Sequence, residues 1–118
     1  RGGAERAAAA SLGANPIGTA LITGVGANPT RSPLIVDVAD GGLPVWPGTP
    51  VYGMHQVDPV AESWIDGYNL GPAGTRPRAV DLPYTWQWFD ASTIAQMNEF
   101  TVHQSHAVAL YAFGMLAR

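Results

Sequence analysis

Three histidines, His55, His103 and His106, are the only imidazoles in the chain, and two of them lie just after a carboxylate, Glu99. On one continuous helix Glu99, His103 and His106 share a face, because residues three and four apart are neighbours on a helix surface. Carboxylate, imidazole, imidazole is a ligand set for zinc or a related divalent cation. His55, close to Asp58, is the one other imidazole able to complete it. A site without sulfur needs ligands that converge from separated segments, and no further His or carboxylate pattern accompanies these residues. Glu99, His103, His106 and His55 are therefore weak metal candidates. They rank below the plainer expectation of polar side chains where a helix ends, and no cofactor is expected.

A second set is aromatic: Trp46, Tyr52, Trp64, Tyr68, Tyr84, Trp86 and Trp88. Residues 84, 86 and 88 alternate as one face of a strand does. An exposed stripe of that kind stacks on sugar rings, which would make a carbohydrate-binding module. Aromatic side chains more often anchor cores and protein interfaces. On that ground Trp46, Tyr52, Trp64, Trp86 and Trp88 are the expected interface residues.

Other chemistries lack their parts. There is no cysteine, which removes disulfides, thiolate metal sites and a thiol nucleophile. Ser11, Ser32, Ser63, Ser92 and Ser105 lie in no triad context, and Gly24-Val25-Gly26 has neither the lysine nor the third glycine of a phosphate loop. No catalytic residue is assigned. All six basic residues are arginines, at 1, 6, 31, 76, 78 and 118, and they form no basic run. A nucleic-acid partner is not expected, because phosphate tracking needs a basic surface. No stretch of about 18 consecutive apolar residues is present, so no membrane span is expected.

Only 13% of the 118 residues are charged, against 47% hydrophobic, with a formal net charge of −3. Charge is depleted at the cores of protein interfaces. A chain this poor in charge is expected to bury surface against copies of itself or a larger protein shell.

The elements that must position these residues are organised around Leu43–Met54, LPVWPGTPVYGM. Pro44, Pro47 and Pro50 forbid a helix interior. Two short extended pieces, joined by a turn at Trp46-Pro47-Gly48-Thr49, are expected. Before them, Gly13-Ala14-Asn15-Pro16 recurs as Gly26-Ala27-Asn28-Pro29, and each copy leads to an apolar pair, Leu21-Ile22 and Leu34-Ile35. Asn-Pro marks a turn, and the β-branched runs Thr19–Val25 and Pro33–Val38 read as strands. Asp40-Gly41-Gly42 should end the second strand. Asp58-Pro59 opens a short helix with Val60 and Trp64 on one face and Gly67 as its stop. Ala79–Leu82 and Tyr84–Phe89 read as strands. Asp90 is an N-cap for a helix over Ala91–Phe100, with Ile94 and Met97 inward. Thr101–Leu116 reads either as a continuation of that helix, with Val108, Tyr111 and Met115 at helical spacing, or as a final strand over Ala107–Met115, and the strand is the reading taken.

The expected fold is α+β and β-rich: a small sheet or partly closed barrel with two short helices and an Ala-rich N-terminal arm. Residues 1–12 form the arm, with a short helix over Ala4–Ser11, and residues 13–118 form one small β-rich domain.

One local likeness extends from Ile35 to Arg78. Ile35-Val36-Asp37, followed by Pro44–Pro50 (PVWPGTP), resembles the opening of the cyclase family, metal-dependent hydrolases that include kynurenine formamidases. Those enzymes carry a His-x-Gly-Thr-His-x-Asp metal motif a little downstream. At the matching distance this chain reads Pro72-Ala73-Gly74-Thr75-Arg76-Pro77-Arg78. Gly74 and Thr75 match the central pair. Pro72 and Arg76 stand where the histidines are expected, and Arg78 stands where the aspartate is expected. Two arginines would repel a divalent cation. The resemblance implies a relative of such hydrolases without their ligands, and it transfers no site residue.

The function expected from these features is structural: an assembly subunit of a larger homo- or hetero-oligomeric particle, such as a virion coat, decoration or cement-type protein. Localisation in a virion would follow from that function alone. A metal-dependent hydrolase and a carbohydrate-binding module are the alternatives.

Overall fold

The computed structural model describes residues 2–55, 77–78, 81–103, 110 and 114. Its elements are α1 (Gly2–Ser11), α2 (Val36–Gly41), a 3-10 turn (Tyr84–Trp86) and α3 (Ala95–Asn98). Alanine is the best helix former, and α1 runs through the alanines at 4 and 7–10. A short alanine helix is marginal alone, and here its C-terminal end is tied down. Asn15 Nδ2 donates to Ala10 O at 2.7 Å. Leu21 N donates to Ser11 O and Ala27 N to Leu12 O, both at 2.9 Å. Carbonyls that a helix end leaves without partners are thus occupied by the loop that follows.

Among the described residues no β-rich sheet or barrel forms. Among the described residues there is no strand, only two isolated bridges: Ile22 with Pro50, antiparallel, and Leu34 with Glu99, parallel. Each copy of the Gly-Ala-Asn-Pro repeat therefore leads to one bridge, but the bridges go to different partners and not into a shared sheet. The physical causes are local. Gly18, just before the run expected as the first strand, and Gly24, within it, take φ +62 and +69. Pro50 has no N–H with which to extend a ladder. Around the first bridge, Thr23 N donates to Thr49 O and Val51 N to Leu21 O, and there the pairing stops. In the second expected strand, Val36-Asp37-Val38 enters α2 instead, and Gly42, at φ +62, closes that helix in the left-handed region. The Asp-Gly-Gly signal is a stop, but the element it stops is a helix.

The later strands are corrected in the same way. Trp86 N donates to Pro83 O at 2.7 Å and Gln87 N to Tyr84 O at 3.2 Å, so Tyr84–Trp86 coils into a 3-10 turn. Asp81 and Leu82 are not in a strand. Leu110 and Gly114 have helical backbone where the final strand was expected. The helix expected over Ala91–Phe100 is only Ala95–Asn98, although Ile94 and Met97 do point inward and are fully buried. The helix expected after Asp58 and most of the loop 69–78 lie outside the described residues.

The turn at Trp46–Thr49 forms. Proline at its second position and Gly48 at φ +88 at its third fit a type II turn. Among the described residues the buried apolar ones are few: Ala8, Ala20, Ile22, Pro33, Pro50, Val51, Ile94 and Met97. Six others that are buried are polar: Thr19, Thr23, Thr30, Thr49, Gln87 and Asn98. Burying a polar group is costly unless it is bonded, so in the described residues side-chain hydrogen bonds hold the fold alongside apolar packing.

Candidate functional surface

Two polar nodes fix the surface. Thr23 is the first. Its hydroxyl donates to Trp46 O and accepts from Thr49 N at 2.9 Å, and its carbonyl accepts from Gly48 N at 2.7 Å. Thr49 Oγ1 also donates to Trp46 O, at 3.2 Å. One buried threonine therefore holds both ends of the proline turn, and the Trp46 side chain is left outside it.

Asp90 is the second node. It does not cap the helix. Its Oδ1 accepts from Thr30 Oγ1 at 2.7 Å and from Ser32 N at 2.9 Å, and its Oδ2 accepts from Arg31 N at 2.8 Å. Consecutive backbone N–H groups make a concavity for an anion, and here the chain fills it with its own carboxylate. The clamp sets the register in which Leu34 meets Glu99, with Leu34 N donating to Asn98 O at 2.7 Å.

The expected interface residues divide. Trp46, Tyr52 and Trp86 keep 48%, 47% and 55% of their surface exposed. Trp88 is half-buried and packs with Phe89 and Ala91 against Ile94 and Met97. Its indole N–H is buried without a hydrogen-bond partner, as are Gln96 Oε1 and Asn98 Oδ1. Trp64 and Tyr68 lie outside the described residues. Because Tyr84–Trp86 is a 3-10 turn, residues 84, 86 and 88 do not form the flat strand face that a sugar-stacking stripe requires.

Among the described metal candidates, Glu99, His103 and His55 do not share one helix face. The proposed face needs one helix through residues 99–106. Instead α3 ends at Asn98, Glu99 is extended at φ −63 and ψ 134, and helical backbone resumes only at Val102. His55 and His103 are exposed. Among the described residues no three His, Asp or Glu side chains are placed to hold a metal ion. His106 and Asp58 lie outside those residues, as does most of the stretch aligned with the cyclase metal motif. No described helix is long and apolar enough to cross a membrane.

A cleft of about 270 Å³ runs between the second repeat and the proline turn, lined by Thr23, Gly24, Pro29, Thr30, Arg31, Val45 and Pro47. The hydroxyls of Thr23 and Thr30 are already spent as donors on Trp46 O and Asp90. The lining places no nucleophile beside a base.

Other exposed apolar residues escaped the sequence. Val36, Leu43, Phe100, Val102 and Leu110 are all exposed. Their residue types promised burial, and only the path of the backbone reveals otherwise. Comparisons with protein-family models, with curated proteins and with solved structures each return no match.

Proposed function

We propose that the chain is a structural subunit of a larger assembly, such as a coat, decoration or cement-type protein of a virion-like shell. The observation that carries this is the outward placement of Trp46, Tyr52, Tyr84 and Trp86 on a chain with only 13% charged residues. Exposed large aromatics resemble the anchors of interface hot spots. The alternative use of such rings, sugar stacking, has lost its strand geometry.

The test is mass as a function of concentration, by sedimentation velocity or light scattering on the purified chain. An assembly subunit gives a weight-average mass that rises with concentration, or that rises on addition of its shell partner. A single 12.4 kDa species under all these conditions would reject the proposal.

A further inference from the structure

The cleft of about 270 Å³ lies between the two polar nodes, with Thr23 of one and Thr30 and Arg31 of the other in its lining. Each node fixes one wall. Thr23 binds Trp46 O and Thr49 N, which holds the proline turn and with it Val45 and Pro47. Asp90 binds Thr30 Oγ1 and the amides of Arg31 and Ser32, which holds the opposite wall. Pro29 and Pro47 add one fixed φ to each side. Gly24 lets the walls approach: a Cβ there would stand 2.7 Å from the Pro47 Cβ. A cleft whose walls are set before anything enters it loses little freedom on binding.

The lining decides what can enter. Pro29, Val45 and Pro47 offer apolar surface. The Thr23 and Thr30 hydroxyls have given their protons to Trp46 O and Asp90, so they retain only acceptor capacity. Arg31 is the one charged residue in the lining. Its backbone N–H is bound to Asp90, but its guanidinium forms no hydrogen bond or ion pair among the described residues. A guanidinium pairs with a carboxylate through two parallel bonds, and its plane also stacks on rings. Two limits apply to the occupant. Pockets that take drug-sized ligands have about 300–1,000 Å³, so this smaller cleft suits a body of about one ring. Asp90, beside Arg31, accepts from three donors at 2.7 to 2.9 Å and would repel a second negative charge brought next to it.

We infer that this cleft binds a small molecule made of one ring and one carboxylate. The carboxylate pairs with the Arg31 guanidinium, and the ring lies against Pro29, Val45 and Pro47. The site binds and does not transform, since its lining places no nucleophile beside a base. It is independent of the assembly function proposed above, and either can fail without the other.

The experiment is a titration of the ¹⁵N-labelled chain followed by amide NMR shifts, with benzoate as the probe. Benzamide, which has the same outline without the charge, and phthalate, which adds a second carboxylate, are titrated alongside. Benzoate is expected to move the amides of Gly24, Thr30, Arg31 and Val45 along one saturating curve with Kd of about 1 mM, the strength of a very small ligand. Benzamide and phthalate should bind about tenfold more weakly or worse, because each loses or opposes a charge-assisted bond. Arg31→Gln should weaken benzoate by a similar factor. Arg31 is exposed and its backbone N–H, which Asp90 uses, is retained in that variant. Arg31→Lys, which keeps the charge but not the fork, should fall between. The inference is overturned if benzoate gives no saturating shift, if the shifts lie away from the cleft, or if benzamide binds wild type as well as benzoate does. Unchanged benzoate binding by a folded Arg31→Gln also overturns it.

Discussion

Gly13-Ala14-Asn15-Pro16 and Gly26-Ala27-Asn28-Pro29 are the same tetrapeptide in two conformations. In the first, the asparagine side chain is the organiser. Asn15 Nδ2 donates to Ala10 O at 2.7 Å and to Thr19 O at 2.8 Å, while Oδ1 accepts from Ile17 N at 3.2 Å and Thr19 N at 3.4 Å. In the second, the asparagine backbone does the bending. Asn28 itself takes φ +43, and its side chain makes one bond, to Thr19 Oγ1 at 3.3 Å. The difference lies in what precedes each copy. The first follows a helix end with carbonyls to satisfy, and an asparagine amide within reach satisfies one. The second follows a loop, and its own carbonyl at Ala27 accepts from Ala20 N at 2.8 Å. The second copy is thus laid over the exit of the first, and a short motif takes its shape from the acceptors nearby.

Substitutions can break or sharpen this comparison, each read from the midpoint of denaturant unfolding at constant slope. Gly26→Ala should have the largest effect. Its Cβ would lie 2.5 Å from Leu12 O and 2.8 Å from the Ala20 Cβ, at φ +81, and overpacking plus a left-handed side chain costs about 3 kcal/mol. Asn15→Ala comes next, at about 2 kcal/mol, because it deserts backbone groups on both sides of the turn. Asn28→Ala should cost about 1 kcal/mol, the penalty for an ordinary residue in the left-handed region. Asn28→Gly should fall within about 0.5 kcal/mol of wild type, since glycine adopts that φ freely. If Asn15→Ala is no worse than Asn28→Ala, the two copies are energetically alike.

The legible parts of this fold were those decided within a few residues. Alanine propensity locates α1, proline then glycine locates the turn at Trp46–Thr49, and Ile94 with Met97 marks the inward side of the later segment. Some of the misread parts depend on distant partners, others on local backbone geometry. Thr19 to Thr23 looks like a strand because β-branched residues favour one, yet the Thr23 hydroxyl binds the backbone of residues 46 and 49. Asp90 looks like a helix cap, yet its carboxylate reaches residues 30–32. The aromatics at 84, 86 and 88 alternate, but Pro83 and the i to i+3 bonds coil them. For the candidate surface, residue types singled out Trp46, Tyr52 and Trp86, which are exposed, while the outward placement of Leu43 and Val36 gave no signal. Grouping Glu99 with the imidazoles assumed a helix running from Glu99 through Thr101, and the backbone at Glu99 is extended instead.

The Asp90 clamp closes loops of 58 to 60 residues with one side chain. Closing a long loop is entropically costly before its contacts reward it. The bonds among residues 8–51 span much shorter stretches, so refolding should proceed in sequence, with the amino-terminal section ordering early and Asp90 arriving late. During synthesis the same ordering has a direct cause: the amides of Arg31 and Ser32 leave the ribosome well before the carboxylate that will accept their hydrogen bonds has been made.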